Sequence, residues 1–277
     1  MKIIVTRPRL EAEVWVKQLR ALDLDAVALP LIHIGAPFDN GDVVKAWVDL
    51  HQYRAVMFVS SNAVRYFYLS NMPLASEFIA CTAIKNIVNL QDKLVAIPRM
   101  WATGPGTRDA LLAQSVPSDL IDSPDSDATQ FDSETLWNIV KNQVKPGDKV
   151  LIVRGSSSNA KGAESVKMNG RPWLADQLKA AGVQVDIVIS YERNVPTFDA
   201  AELALMRHAS TDQSIWLLSS SEAVANLKTI SDLSWSNAKA IATHPRIAQA
   251  ARDAGFGVVY ESRPLLTDVV ASIESMP

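Results

Sequence analysis

The chain is predicted to be α/β, built from two doubly wound parallel sheets, and three observations carry that prediction. A short apolar run that stops at Ser-Ser and opens a helical pattern occurs twice, as Val56-Met57-Phe58-Val59-Ser60-Ser61-Asn62 and as Ile215-Trp216-Leu217-Leu218-Ser219-Ser220. Runs of β-forming residues alternate with helical patterns along most of the chain, the signature of helices covering both faces of a parallel sheet. The pieces also repeat: Lys2–Val5 is matched by Lys149–Val153, 26–29 by 184–188, and Ala102-Thr103-Gly104-Pro105 by Ala242-Thr243-His244-Pro245.

Ile3–Val5 reads as a buried strand. After Thr6-Arg7-Pro8 comes a helix carrying Ala12, Val14, Trp15, Leu19 and Leu22, with Pro8 suited to its first turn and Thr6 or Arg7 near its cap. Ala26–Leu29 is the second strand, and Pro30-Leu31-Ile32-His33-Ile34 an extended connection. A helix over 42–51, the strand 55–59 and a helix from 62 follow, then an irregular segment around 73–92. A strand at 99–103 runs through Gly104-Pro105-Gly106-Thr107 into a helix ending near Leu112, before a short strand at 116–121 and a polar loop over 122–132. Ser133-Glu134 opens a helix to 143. The strand Lys149–Val153 ends in Arg154-Gly155, and Ser156–Gly170 is small and polar, as a surface loop would be. A helix over 171–181 stops at Gly182, a residue type suited to the left-handed C-cap. The strand 184–188 continues into a second extended connection, Ile189-Ser190-Tyr191-Glu192-Arg193. Helices over 199–208 and 220–230, one that follows Thr243-His244-Pro245-Arg246 and runs to Ala254, and one over 265–275 then alternate with strands at 215–218, 239–242 and 257–260.

The repeat is not a simple tandem. Pairing 1–29 with the C-terminal strands leaves 36–188 as a complete sheet inserted in the other, with crossings near 30–36 and 189–196 that can pair as a two-stranded hinge. The expected domains are therefore 1–33 with 193–277, and 36–188. Consecutive domains split near 147 are the rival arrangement.

A chain of 277 residues, 48% hydrophobic, is long enough for two cores. A net charge of −3 gives no global reason to expect nucleic acid or a membrane surface as partner. The single cysteine, Cys81, excludes an intrachain disulfide and a multi-thiolate metal site, and no zinc-ligand spacing occurs. No signal-peptide pattern or membrane-length apolar run is evident, so a cytoplasmic monomer is expected.

The strand–helix turns at 60–62, 103–107, 219–222 and 243–247 would each present backbone N–H groups at the positive end of a helix dipole, a place for carboxylate or phosphate. Most such Ser and Pro residues are only caps. Arg7, Arg154 and Arg246 fall at the carboxyl edges of strands, and Arg171 opens a helix; a guanidinium there can hold a carboxylate bidentately. Tyr191 is either a packed hinge aromatic or a phenol offered to a ligand. Dinucleotide, phosphate-loop and nucleophile-elbow motifs are absent. The residues alone thus leave open a binding module for an anionic metabolite, a nucleotide- or flavin-dependent enzyme, or another enzyme acting on a polyanion.

Val5-Thr6-Arg7-Pro8, Ser60-Ser61-Asn62-Ala63-Val64, Gly104-Pro105-Gly106-Thr107, Pro124 with Ser133-Glu134, Leu151-Ile152-Val153-Arg154-Gly155 and Tyr191-Glu192-Arg193, in that order, resemble the uroporphyrinogen-III synthase family. The resemblance spans nearly the whole chain and rests on the ordered set. It implies two flavodoxin-like domains joined by a two-stranded linker, a HemD-like fold. It implies closure of the linear tetrapyrrole hydroxymethylbilane to uroporphyrinogen III, with loss of water and inversion of ring D through a spiro intermediate, and no cofactor or metal. The family's linker tyrosine, which assists departure of the hydroxyl, falls on Tyr191. Substrate acetates and propionates would meet Ser60, Ser61 and Asn62; Gly104, Pro105 and Thr107; Ser219 and Ser220; and His244, Arg246 and Ile247, together with Arg7. The family's threonine-containing turn falls on Pro245-Arg246-Ile247, so a hydroxyl is missing here. Its Arg-Gly-x-Gly-Gly-Arg run is split by Ser156–Asn169, leaving Arg154, Gly155, Gly170 and Arg171 as its ends.

Overall fold

The computed structural model describes residues 1–70, 97–125, 133–157 and 173–276. The expected irregular segment at 73–92, Cys81, and most of the polar loops at 122–132 and 156–170 lie outside the described residues, as do Gly170 and Arg171. The chain divides into two compact units, Met1–Ile34 with Asn194–Pro277, and Gly35–Arg193.

In the first unit, β1 (Ile3–Val5), α1 (Arg9–Arg20) and β2 (Ala26–Ala28) open the chain. The second unit is entered through β3 (His33–Gly35), followed by α2 (Gly41–Val48), β4 (Ala55–Phe58) and α3 (Ser61–Leu69). Next come β5 (Arg99–Ala102), α4 (Pro105–Ala113), β6 (Ile121–Asp122) and α5 (Ser133–Val140), then β7 (Lys149–Ser157), α6 (Trp173–Ala180) and β8 (Gln184–Asn194). The chain returns with α7 (Ala200–Ala209), β9 (Ile215–Leu218), α8 (Ser221–Ile230), β10 (Lys239–Ala242), α9 (Pro245–Asp253), β11 (Val258–Glu261) and α10 (Leu266–Glu274).

The first sheet runs β11-β10-β9-β1-β2, all parallel. Successive residues of a strand point to opposite faces, and both faces are covered. Ile4, Trp216, Leu218 and Ala240 join Val224, Leu227, Ala248 and Ala251 of α8 and α9 in one core. Ile3, Val5, Ile215, Leu217 and Ile241 meet Ala12 and Leu19 of α1 and Val269 and Ile273 of α10 in the other. Strands buried on both faces must be apolar throughout, which is why they read as runs rather than alternations.

The second sheet runs β3-β8-β7-β4-β5-β6. Its five strands from β8 to β6 are parallel. They repeat the order of the first sheet, with the strand pair that opens the set (β7, β8) placed last in the chain. Ala55, Met57, Trp101, Val150 and Ile152 pack on Leu136, Val140, Leu174 and Leu178 of α5 and α6. On the opposite side Trp47 stacks on Phe67 at 4.7 Å, and Phe67 meets Phe58 edge-on at 5.6 Å. The sixth strand, β3, comes from the first crossing segment and neighbours β8, which carries the second.

Several expected boundaries shift for identifiable reasons. β7 does not stop at Val153 but continues to Ser157, because β8 is eleven residues long and keeps its ladder beyond Arg154. The strand expected at 116–121 shrinks to two residues behind a short 3-10 turn, Ser118–Leu120. Ser115 there is left-handed (φ 60°), and Pro117 has no N–H for a ladder. The helices expected to reach 51 and 143 end at Val48 and Val140, their last residues passing into 3-10 turns. Pro8 is the cap residue of α1 rather than part of its first turn, and the Thr6 hydroxyl donates to the Leu217 carbonyl at 2.6 Å. Gly182 and Gly255 follow α6 and α9 with φ of +76° and +94°, the left-handed geometry expected for Gly182.

Candidate active site

The second unit gathers one group of the expected site residues at the carboxyl ends of β4, β7 and β8. Beyond Arg154 the ladder slips by one residue, so Arg154 pairs with Ile189 but Gly155 pairs with Tyr191. This bulge sets the Tyr191 ring directly across Gly155: any Cβ there would fall on the ring, with Cζ and both Cε atoms in the way. Only glycine fits beneath it. Tyr66 of α3 stacks on the same ring at 6.1 Å with an interplanar angle of 29°. The buried Ser190 hydroxyl donates to the Ala63 carbonyl at 3.1 Å, fixing β8 against the first turn of α3. Tyr191 itself is 5% exposed.

The Tyr191 phenol oxygen lies 3.2 Å from Ser60 Oγ. Ser60 is the cap of α3, in extended backbone, and its Oγ accepts the Ala63 N–H at 3.1 Å. Ser61 is exposed and Asn62 half-buried in the first turn that follows. The neighbouring turn is joined to this one by Thr103, whose hydroxyl donates to the Val59 carbonyl at 3.3 Å. There Gly104 caps α4 without a side-chain acceptor, and Pro105 occupies its first turn. Thr107 is buried, and its N–H donates to the Gly104 carbonyl at 3.1 Å.

Arg154 is half-buried beside this group, and its Nε donates to the Gly155 carbonyl at 3.2 Å. Burial lowers its affinity for the proton, the charge of Arg193 lowers it further, and Tyr191 acts in the opposite sense. It stays a cation at any ordinary pH.

The first unit carries the second group. Ile3 pairs with Ala26 and Ile215 as Val150 pairs with Val185 and Ala55, so Arg7 and Arg154, each four residues further on, hold equivalent places in the two sheets. Arg7 is engaged locally, 3.4 Å from Glu11 and 4.3 Å above the Trp15 ring. Ser219 is half-buried, and Ser220 caps α8, its Oγ accepting from the N–H groups of Glu222 and Ala223 at 3.2 and 3.5 Å. His244 caps α9 through Nδ1, which accepts the Arg246 N–H at 3.1 Å, while the Arg246 side chain is exposed. Ile247 is 6% exposed and packed in the core, and its N–H is bonded to the His244 carbonyl. Its side chain packs α9 into the core of the first sheet.

Tyr191, Ser60, Gly155 and Arg154 are thus brought together, and Tyr66 and Ser190 join them without having been singled out in the sequence. No group of three or more metal-ligating side chains occurs among the described residues. Among them, too, no helix is long and apolar enough to cross a membrane.

Two doubly wound parallel sheets, each with helix starts and an arginine at its carboxyl edge, define a two-domain α/β protein. The family model for uroporphyrinogen-III synthase HemD matches residues 13–270, and the chain belongs to that family. Uroporphyrinogen-III synthase of Salmonella typhimurium is 27% identical over 214 residues, covering 75% of this chain and 71% of that one. The fold matches the structure of uroporphyrinogen-III synthetase from Helicobacter pylori with a TM-score of 0.56, covering 100% of both chains at 15% identity. It matches that of a mutant uroporphyrinogen III synthase from Thermus thermophilus with a TM-score of 0.51, covering 99% of this chain and 97% of that one, also at 15% identity. The activity is that of a cyclising lyase of tetrapyrrole synthesis, which closes hydroxymethylbilane to uroporphyrinogen III with loss of water and inversion of ring D.

Proposed function

We propose that Tyr191 is the general acid of this cyclisation, and that the capped turns and arginines hold the substrate's acetates and propionates. The observation that carries the proposal is the clamped phenol: a ring locked by Gly155, Tyr66 and the Ser190 anchor, with its hydroxyl at the head of α3. In the first step the substrate's C–O bond breaks, its electron pair stays with the oxygen, and the phenol's proton completes the departing water. The pyrrole nitrogen supplies the push and spreads the resulting positive charge. The substituted carbon of ring D attacks the methylene cation to give the spiro intermediate. That intermediate fragments and recloses with ring D inverted, and the proton released as aromaticity returns restores the phenol.

Most of the acceleration is geometric under this reading. Holding the reacting carbons together replaces a chain search with a single approach, and excludes the simple closure that leaves ring D uninverted. The helix starts at Ser60 and Gly104 in the second sheet, and at Ser220 and His244 in the first, supply N–H donors to carboxylates. Arg154, Arg246 and Arg7 supply charge, Arg7 at the expense of its contact with Glu11. Arg171 belongs to the same reading. The enzyme acts as a cytosolic monomer without a cofactor.

Amide and ring-carbon NMR shifts during titration with uroporphyrin III, the oxidised product, test this placement. Changes are expected at Ser61, Asn62, Gly106, Arg154 and the Tyr191 ring, and at Ser220 and Arg246. Changes confined to other parts of either unit would contradict it.

A further inference from the structure

We propose that Ser60 is a positioning residue for the Tyr191 phenol, donating its own proton to the phenol oxygen so that the phenol's proton is turned toward the departing hydroxyl. The inference rests on Tyr191 acting as the acid, and it gives the Ser60 side chain a task other than holding a substrate carboxylate.

The argument is one of hydrogen-bond capacity. A serine hydroxyl has one proton and two lone pairs. In Ser60 the Ala63 N–H occupies one lone pair at 3.1 Å, since the residue caps α3. Its proton and its second lone pair remain for the Tyr191 oxygen at 3.2 Å. Two arrangements are then possible. If the phenol donates to Ser60, its only proton points into the protein and is lost to catalysis. If Ser60 donates to the phenol, the phenol's proton points outward, and the same hydrogen bond stabilises the oxygen anion that remains once the proton has gone. Only the second arrangement serves an acid.

The surroundings hold both oxygens in register. Ser60 is fixed by the helix it caps, and Tyr191 by Gly155 beneath its ring, Tyr66 stacked upon it and Ser190 bonded to the same first turn of α3. Both partners of the bond are therefore anchored to one helix start. The equivalent cap in the first unit, Ser220, uses its oxygen for two backbone N–H groups of α8.

A double-mutant cycle tests the assignment on the full chain. Ser60→Gly removes the hydroxyl while costing the start of α3 little, because glycine is itself an acceptable cap. Ser60→Thr keeps a hydroxyl. The expected result is a fall in kcat of about tenfold for Ser60→Gly, the scale of one lost hydrogen bond to a group developing charge, with KM little changed. Ser60→Thr is expected to recover most of that activity, and in the Tyr191→Phe background the Ser60→Gly loss disappears. An equal loss in both backgrounds overturns the positioning role and leaves the acid role of Tyr191 standing. A Tyr191→Phe variant as active as the parent removes the acid role, and this inference with it.

Discussion

Tyr191→Phe is expected to lower kcat by about a hundredfold, at the lower end of what a positioned general acid contributes, with KM close to that of the parent. The change removes one oxygen atom and its contact with Ser60 Oγ, and leaves the ring in its place. Phenylalanine can still lie across Gly155 and stack on Tyr66, so melting temperature should fall only by the equivalent of about 1 kcal/mol. The activity expected to remain is what confinement alone would achieve, with the pyrroles supplying the push that expels the hydroxyl. Steady-state assay of both proteins on hydroxymethylbilane reads the difference. Undiminished turnover would take Tyr191 out of the chemistry.

Gly155→Ala is expected to lower activity to a similar extent by a different route. The added Cβ lands on the Tyr191 ring, which has nowhere simple to go. Tyr66 lies against it, and the adjacent Ser190 is bonded to the Ala63 carbonyl. Overpacking of this kind costs about 1–3 kcal/mol, and any relaxation must shift the phenol from its place beside Ser60. The variant should therefore show a lower melting temperature together with a kcat near that of Tyr191→Phe. Combining the two changes should add little further loss of kcat, because both remove the same phenol. A variant with a lowered melting temperature but full turnover would mean that the position of the ring is immaterial.

Much of the framework was legible because its causes are local. Strands buried on both faces show as unbroken apolar runs, and Ser60, Ser220 and Gly182 mark helix ends by chemistry that acts within three residues of them. The inserted arrangement is read from matching Lys2–Val5 to Lys149–Val153, and β1 and β7 hold corresponding places in the orders of the two sheets.

The heart of the site was less legible, for reasons of register. Counting along β7 and β8 from Arg154 and Ile189 puts Gly155 opposite Ser190; the bulge moves it opposite Tyr191, and no residue in either strand announces that slip. Tyr66 could not be linked to Tyr191 without that pairing. In the sequence Gly155 reads only as the end of a glycine-rich run, not as the floor beneath a ring. Thr107 and Ile247 show how far a side chain can differ from the turn that carries it. Each stands in a turn that the sequence marks as a carboxylate site, yet each sits at the third position after its cap, where the helix carries side chains back into the core.

The central claim is that this chain bends hydroxymethylbilane so that ring D inverts before the macrocycle closes. The most direct measurement is to incubate purified protein with freshly generated hydroxymethylbilane, oxidise the products and resolve the isomers by chromatography. The type III isomer is expected as the main product, formed faster than closure without enzyme. Type I alone, appearing at the rate seen without enzyme, would contradict it.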